Sequence, residues 1–251
     1  MKLNRKQRDL IWLVGGFTIL WVLGIWLFNY MKTSESIDDW GVAQRDSLAL
    51  GLHEQIMYES DLWESDTQRI LDGLIKERLD PQDTLEIYWL NDPIVNAFTT
   101  TNGKIYMYRG LCEELGEPEM IAAVTAHEIA HLRERHFEKS VRRQLGTTAL
   151  LVMLSGGDPG LWLQVNGILF ESSFSRQQEA DADTQAMEML LEHDLSPTHL
   201  GRALSITDER SRSEVNWTFA STHPSSMDRV SKSLNYEIPD DFEEVPFIWG
   251  E

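Results

Sequence analysis

Residues 127 to 131 read His127-Glu128-Ile129-Ala130-His131, and the fold has to be built around them. On an α-helix, two histidines four apart project from one face and can grip a single zinc ion. Glu128, beside the first of them, stands where it can act on a water at that ion. The stretch therefore demands a helix running through it and further ligands brought in from elsewhere in the chain.

The flanking sequence supplies the helix. Gly116-Glu117-Pro118-Glu119 opens it, with proline suited to the first turn and acids favoured at the positive end. Ile121, Val124, Ile129 and Leu132 lie along it, and Lys139, Arg142 and Arg143 close it, so the histidine pair falls in mid-helix. Upstream, residues 84–90 alternate apolar and polar as a strand does. Residues 94–100 and 104–108 flank Asn102-Gly103, the strongest short hairpin signal, so a small antiparallel sheet is expected before the metal helix. Two earlier helices are expected over residues 43–58 and 65–79, the second capped by Ser65 and ended by Pro81. Downstream, residues 147–170 are apolar but broken at Gly156-Gly157-Asp158-Pro159-Gly160. Each half is too short to span a bilayer and reads as a helical hairpin in the core or against a membrane. Helices then run over residues 176–193 and onward from Ser196-Pro197. The expected class is α+β, mostly helical.

The chain has 251 residues and a formal net charge of -19, while its first nine residues are basic: Lys2, Arg5, Lys6 and Arg8 face only Asp9. An acidic surface repels nucleic acid and anionic lipid, and argues against both as partners. Residues 10–30 carry no charge, and at about 1.5 Å per residue they reach across about 30 Å, one hydrocarbon core. Trp12, Trp26 and Tyr30 lie toward the ends, and Glu35, Asp38 and Asp39 follow. The positive-inside rule then puts the N-terminus in the cytoplasm and the rest across the membrane, on a single transmembrane helix. A cleavable signal peptide is the competing reading; it would have a shorter apolar region and a small-x-small site, which does not follow Tyr30. The single cysteine, Cys112, excludes an internal disulfide and reads as a small buried residue.

A catalytic zinc takes three protein ligands and leaves one position open. In the metzincin pattern a glycine and a third histidine follow the pair, but Glu134 and Phe137 occupy those positions, which excludes that class. The alternative is a carboxylate from a later helix. Glu179 is the best candidate, because Asp183 shares its helical face and can accept the free N–H of a ligating histidine. Glu171 and Asp181 are the rivals.

These segments together resemble the HtpX and CAAX prenyl protease family of gluzincin metallopeptidases, which includes the Oma-type and BepA-type envelope proteases. His127-Glu128-Ile129-Ala130-His131 with Arg135-His136 resembles its first motif. Ser175-Arg176-Gln177-Gln178-Glu179 with Ala182-Asp183 resembles its second, and Thr222-His223-Pro224 with Arg229 its third. Asn96-Ala97-Phe98 and Gly110-Leu111 resemble the family's strand and its lead-in to the zinc helix, so the likeness covers roughly residues 47–234.

The resemblance implies a zincin-like domain holding one Zn2+ through His127, His131 and Glu179, with Asp183 behind the ligands and Glu128 as general base. It places His223 at the active site, either steadying the oxyanion or filling the open zinc position. Arg229 is expected to anchor the His223 loop or to face substrate. Asn96 is expected to hold a peptide that adds a strand along residues 96–99, and His136 is expected to be structural. The expected organisation is a basic tip and anchor over residues 1–31, a linker over 32–42, the metallopeptidase domain over 43–239 and a loosely held acidic tail over 240–251.

The implied function is zinc-dependent endopeptidase action on polypeptide substrates, in quality control of envelope proteins. The lipid bilayer is engaged through the N-terminal helix, and the catalytic domain lies on the periplasmic side of a bacterial inner membrane. A zinc-binding assembly factor or chaperone that seldom cleaves is the alternative. An aminopeptidase would need a site for the free amine, and no Gly-x-Met-Glu-Asn-like segment supplies one.

Overall fold

The computed structural model describes residues 42–80, 84–100, 102–140, 174–211, 219–224 and 226–247. The expected membrane helix, the linker, Pro81, the 147–170 hairpin and Glu171 lie outside them. Among the described residues no helix is long and apolar enough to cross a membrane.

The domain begins with α1 (Val42–Glu59) and α2 (Asp66–Leu79). Ser65 caps α2 by accepting the Gln68 N–H at 3.0 Å, and Leu71, Ile75 and Leu79 recur every fourth position to form its buried face. Three strands follow: β1 (Glu86–Leu90), β2 (Ala97–Thr99) and β3 (Lys104–Tyr108). Asn102 and Gly103 both take positive φ, at 66° and 77°, and turn β2 antiparallel into β3. A residue pair with both φ values positive matches the twist of the flanking strands, which is why Asn-Gly is favoured there.

The sheet is mixed, not antiparallel as expected. Its order is β1-β3-β2, and β1 pairs with β3 in parallel. The chain reverses once between β1 and β2 and again at the hairpin, so β3 re-enters running with β1 and fits between the other two. Being central, β3 is buried on both faces: Ile105 and Met107 join the main core, while Tyr106 stacks on Phe98 and Tyr88.

Strand β3 runs directly into α3 (Arg109–Leu115). Gly110 is required at that corner, because a Cβ there would lie 2.2 Å from the Pro93 carbonyl oxygen. The metal helix, α4 (Pro118–Arg133), is buried on nearly every side, as its run of alanines and aliphatics dictates. It ends at Arg133, short of the basic residues expected to close it. Arg135 adopts φ 53° and breaks the helix before the chain turns helical again.

Against α4 pack α5 (Arg176–Glu192) and α6 (Thr198–Ser211), followed by α7 (Phe219–Thr222) and α8 (Met227–Leu234). The acidic tail is not loosely held over its described part. Glu244 accepts from His199 Nε2 at 2.6 Å and from the Ser196 N–H at 3.1 Å, and Val245 N–H donates to the Asp194 carbonyl. Phe247 enters the core beneath the Arg78 guanidinium, and its N–H donates to Glu119. One buried aromatic and a few directed hydrogen bonds outweigh the tail's acidic composition.

Candidate active site

Three elements converge on one buried point. Helix α4 carries His127, Glu128 and His131, all fully buried. Helix α5 carries Glu179 and Asp183 in its first two turns. Its start is fixed by a capping box: Ser175 accepts the Gln178 N–H, and the Gln178 side chain accepts the Ser175 N–H. The turn after α7 delivers His223. Phe219 N–H bonds the Val95 carbonyl, His223 N–H bonds the Phe219 carbonyl at 2.7 Å, and Phe174 N–H bonds the Thr222 carbonyl. The aromatic rings of Phe174 and Phe219 stack on His131 and His223 respectively, fixing both imidazole planes.

Donor atoms of His127, His131, Glu179 and His223 all lie within 4.8 Å of one another. His127 Nε2 is 2.9 Å from His131 Nε2 and 3.4 Å from His223 Nδ1. The Glu179 oxygens stand 3.5 Å from His127 Nε2, 3.5 Å from His131 Nε2 and 3.3 Å from His223 Nδ1. A four-coordinate ion with bonds of about 2.0–2.2 Å sets its donors about 3.3–3.6 Å apart. Apart from the closer His127–His131 pair, these spacings suit a metal ion, and the donor types fit one.

Charge leads to the same place. Glu128, Glu179 and Asp183 are buried together against one buried guanidinium, that of Arg229. Three buried carboxylates face one guanidinium, and a divalent cation would suit such a site, where water cannot screen the charge.

The candidate ligands are held from behind. Asp183 Oδ1 lies 3.1 Å from His127 Nδ1, the nitrogen turned away from the donors. Arg229 grips Asp183 in a fork, Nε to Oδ2 at 2.7 Å and Nη2 to Oδ1 at 2.8 Å. Its Nη1 reaches Glu179 Oε2 at 2.7 Å and donates to the Pro224 carbonyl at 3.0 Å. Each guanidinium nitrogen therefore has a protein acceptor. Arg229 ties the His223 turn to α5 and does not face outward toward a substrate. Asn96, 6% exposed, borders the cavity beside His223. Asp181, the rival ligand, is exposed and bonded to Gln177.

His136 lies where no local pattern put it. Its Nδ1 is 3.0 Å from His131 Nδ1, so it backs the second histidine as Asp183 backs the first. A continuous helix would carry residue i+5 away from that face; the break at Arg135 returns it. The Arg135-His136 pair after the motif was the available signal.

Electrostatics separate the two glutamates. Burial opposes ionisation of Glu179, but His223 and His127 outweigh it and hold its carboxyl well below the ordinary range. At Glu128 burial prevails over the same histidines and pushes the carboxyl up. Burial also opposes a charged His127, yet Asp183 and Glu179 carry it up to about 9. His131 is driven down by burial and by His127. One carboxylate stays ionised for a cation while the other is readied to accept a proton. Cys112 is buried, and burial pushes its thiol up to about 12, so it is no nucleophile.

A helix-borne histidine pair, a glutamate beside the first histidine and a carboxylate ligand from a following helix define a metallopeptidase. Residues 62–237 match Peptidase family M48, and the chain belongs to that family of metalloendopeptidases. It is similar to the Metalloprotease LoiP of Escherichia coli (strain K12), 31% identical over 152 residues that cover 58% of this chain and 59% of that protein. It is also similar to the mitochondrial metalloendopeptidase OMA1 of Schizosaccharomyces pombe, 28% identical over 155 residues, covering 59% of this chain and 45% of that one. The beta-barrel assembly-enhancing protease of Escherichia coli (strain K12) is 23% identical over 162 residues, covering 59% of this chain and 33% of that one. The chain thus spans less than two thirds of the length of these relatives.

Proposed function

We propose that the protein is a zinc-dependent endopeptidase in which His127, His131 and Glu179 hold the ion and Glu128 is the general base. The observation that carries this reading is the buried donor cluster of His127, His131, Glu179 and His223, all within 4.8 Å of one another, whose nitrogen and carboxylate donors suit zinc. Bound zinc would supply Lewis acidity, bringing the pKa of water toward neutrality and polarising the scissile carbonyl.

Glu128 takes the proton of the attacking water and returns it to the leaving amine, and its raised pKa suits both halves of that task. Asp183 fixes the tautomer and orientation of His127, and His136 does the same for His131. His223 would serve in one of two ways. With its Nδ1 among the donors it would complete a four-ligand set around the ion, and turned away from them its imidazole N–H would steady the oxyanion. Asn96 accepts from the backbone of the bound peptide.

The uncharged stretch at residues 10–30 and the basic residues before it support a single membrane anchor, with the catalytic domain beyond the cytoplasmic face. The name of the beta-barrel assembly-enhancing relative supports a substrate pool of envelope proteins. That same name and the four-donor arrangement favour a second reading, a zinc-holding assembly factor that seldom cleaves.

The test uses the full chain in detergent with an unfolded protein substrate. Elemental analysis should find one zinc per chain, and chelation should stop cleavage. Glu128→Gln should keep the zinc and lower the rate by about 10²–10⁴-fold. Cleavage that survives Glu128→Gln would remove the glutamate from its role. Full complementation in cells by the same variant would favour the assembly factor. A reporter fused after Glu251 reads the topology.

A further inference from the structure

The residues that would do the chemistry are sealed. His127, Glu128, His131 and His223 are 0% exposed and Glu179 is 1% exposed, so a polypeptide reaches them only if something moves. The cavity beside them measures about 30 Å³, which is room for water at ~10–15 Å³ apiece and not for a peptide.

Among the described residues three walls close that cavity. Phe137 and Phe174 form one, and both belong to the site itself. Phe174 stacks on His131 and bonds the Thr222 carbonyl, and Phe137 follows His136, whose carbonyl accepts from Gln178 of α5. Residues 96–100 form the second, with β2 paired to β3 as an outer strand of the sheet. The third is α1, through Leu52 and Ile56.

Helix α1 is held more lightly. Ala49, Leu52, His53 and Ile56 fall on one face, and the three apolar ones are buried but pack outside the main core. His53 reaches the sheet: its Nδ1 is 3.1 Å from the Tyr106 hydroxyl, and its ring centre is 4.7 Å from that of Tyr88. Past the helix the chain is pinned to β1. Trp63 N–H donates to the Trp89 carbonyl at 2.7 Å, Asn91 N–H donates to the Asp61 carbonyl at 2.8 Å, and Leu62 bridges Leu90. Ser60 thus joins a helix held by side chains to a segment held by backbone bonds, as a hinge does.

We propose that α1 is a cover over the active site, shut by Leu52 and Ile56 and latched by His53 on Tyr106, and that it swings about Ser60 to admit a polypeptide. The proposal rests on the endopeptidase reading and adds a regulation to it: the closed protein inhibits itself. Opening also lets a peptide backbone supply a donor to Asn96 Oδ1, which is buried and accepts no hydrogen bond among the described residues. Substrate therefore draws the helix open, and its apparent affinity is reduced in proportion to the fraction of molecules that are open.

The experiment uses the zinc-loaded full chain and an unstructured peptide that it cleaves. His53→Ala unlatches the helix, and Ile56→Ala loosens its grip on the cavity. Each should lower KM at least about tenfold and hold kcat within about twofold, because only the open fraction changes. Substitutions that merely damage the fold would lower kcat and spare KM. An unchanged or raised KM overturns the cover.

A second arm needs no cleavage. Cys112, the chain's single cysteine, lies in the main core and reports opening of the whole fold, while Leu52→Cys sets a thiol beneath the helix. Under native conditions a maleimide should label Leu52→Cys at least about tenfold faster than Cys112, and adding His53→Ala should quicken the first and leave the second. Thiols that share one slow rate, or that quicken together, overturn the cover, and with cleavage intact they leave the endopeptidase reading standing. Separate thiol rates in a protein that cleaves nothing support the cover and overturn the endopeptidase.

Discussion

Arg229→Met removes the guanidinium from beneath the metal site and keeps most of the side chain's bulk. Arg229 is 8% exposed and makes ionic contacts of 2.7 to 2.8 Å with Asp183 and Glu179, which are 2% and 1% exposed. Removing one partner of a buried ion pair costs about 3–5 kcal/mol, because the other charge is left uncompensated. Here two carboxylates are stranded, so the upper part of that range applies to the metal-free protein.

A bound divalent ion restores positive charge at Glu179, and the loss in the metal-loaded protein should be smaller by at least about 1 kcal/mol. Urea denaturation with and without chelator gives both numbers. Asp183→Asn added to Arg229→Met should cost less than the sum of the two single changes, because they share one contact. A loss under about 1 kcal/mol without metal, or a greater loss with metal than without, would refute the reasoning.

Three further outcomes are expected. Gly110→Ala should destabilise by about 1–3 kcal/mol, since the new Cβ meets the backbone carbonyls of Pro93 and Ile94, which cannot rotate away; an effect under about 0.5 kcal/mol in urea titration would contradict the corner's geometry. Phe247→Ala should cost about 3 kcal/mol, because the ring is in the core, whereas a freely moving tail would register almost nothing. Burial opposes ionisation of Asp183, but Arg229 and His127 hold its carboxyl below the ordinary value of 3.8. A depressed carboxyl contributes stability that is fully present above the ordinary value and is lost as pH falls through the folded one. On the acid side the stability gap between the unsubstituted protein and Asp183→Asn should therefore hold from about pH 6 to about 5 and close only below about 3.9, and a gap that widens as pH falls below about 3.9 would reverse that sign.

What the sequence made legible is what local periodicity controls. The four-residue spacing of His127 and His131 needs only a helix, and the same spacing in Glu179 and Asp183 put the candidate third ligand and its neighbour together on α5. Ser65 and Asn102-Gly103 announced a cap and a hairpin because each acts within its own few residues. The pairing of β1 was hidden, since alternation in residues 84–90 says which faces are buried and nothing of the neighbouring strand's direction. The end of α4 was hidden by basic residues that keep helical spacing beyond Arg133, although Arg135 leaves the helix. Partners far apart in sequence were the hardest to foresee. Arg229 was expected near substrate or in its loop, and its grip on both α5 carboxylates has no local signature. Glu244 and Phe247 looked solvated because their anchors, His199, Glu119 and Arg78, are tens to well over a hundred positions away.

The fold therefore holds itself by contacts that span most of its length. Phe247 closes on Glu119 across 128 positions, and Arg78 closes on Val245 across 167. Loops of that size are slow to close, and a chain made from the N-terminus first at about 5–20 residues per second exposes its donors one after another. His127 and His131 emerge first, Glu179 a few seconds later, and His223 and Arg229 after it. The donor cluster therefore stays incomplete until the segment carrying His223 follows, and the buried carboxylates of α5 wait for the Arg229 guanidinium that comes after it.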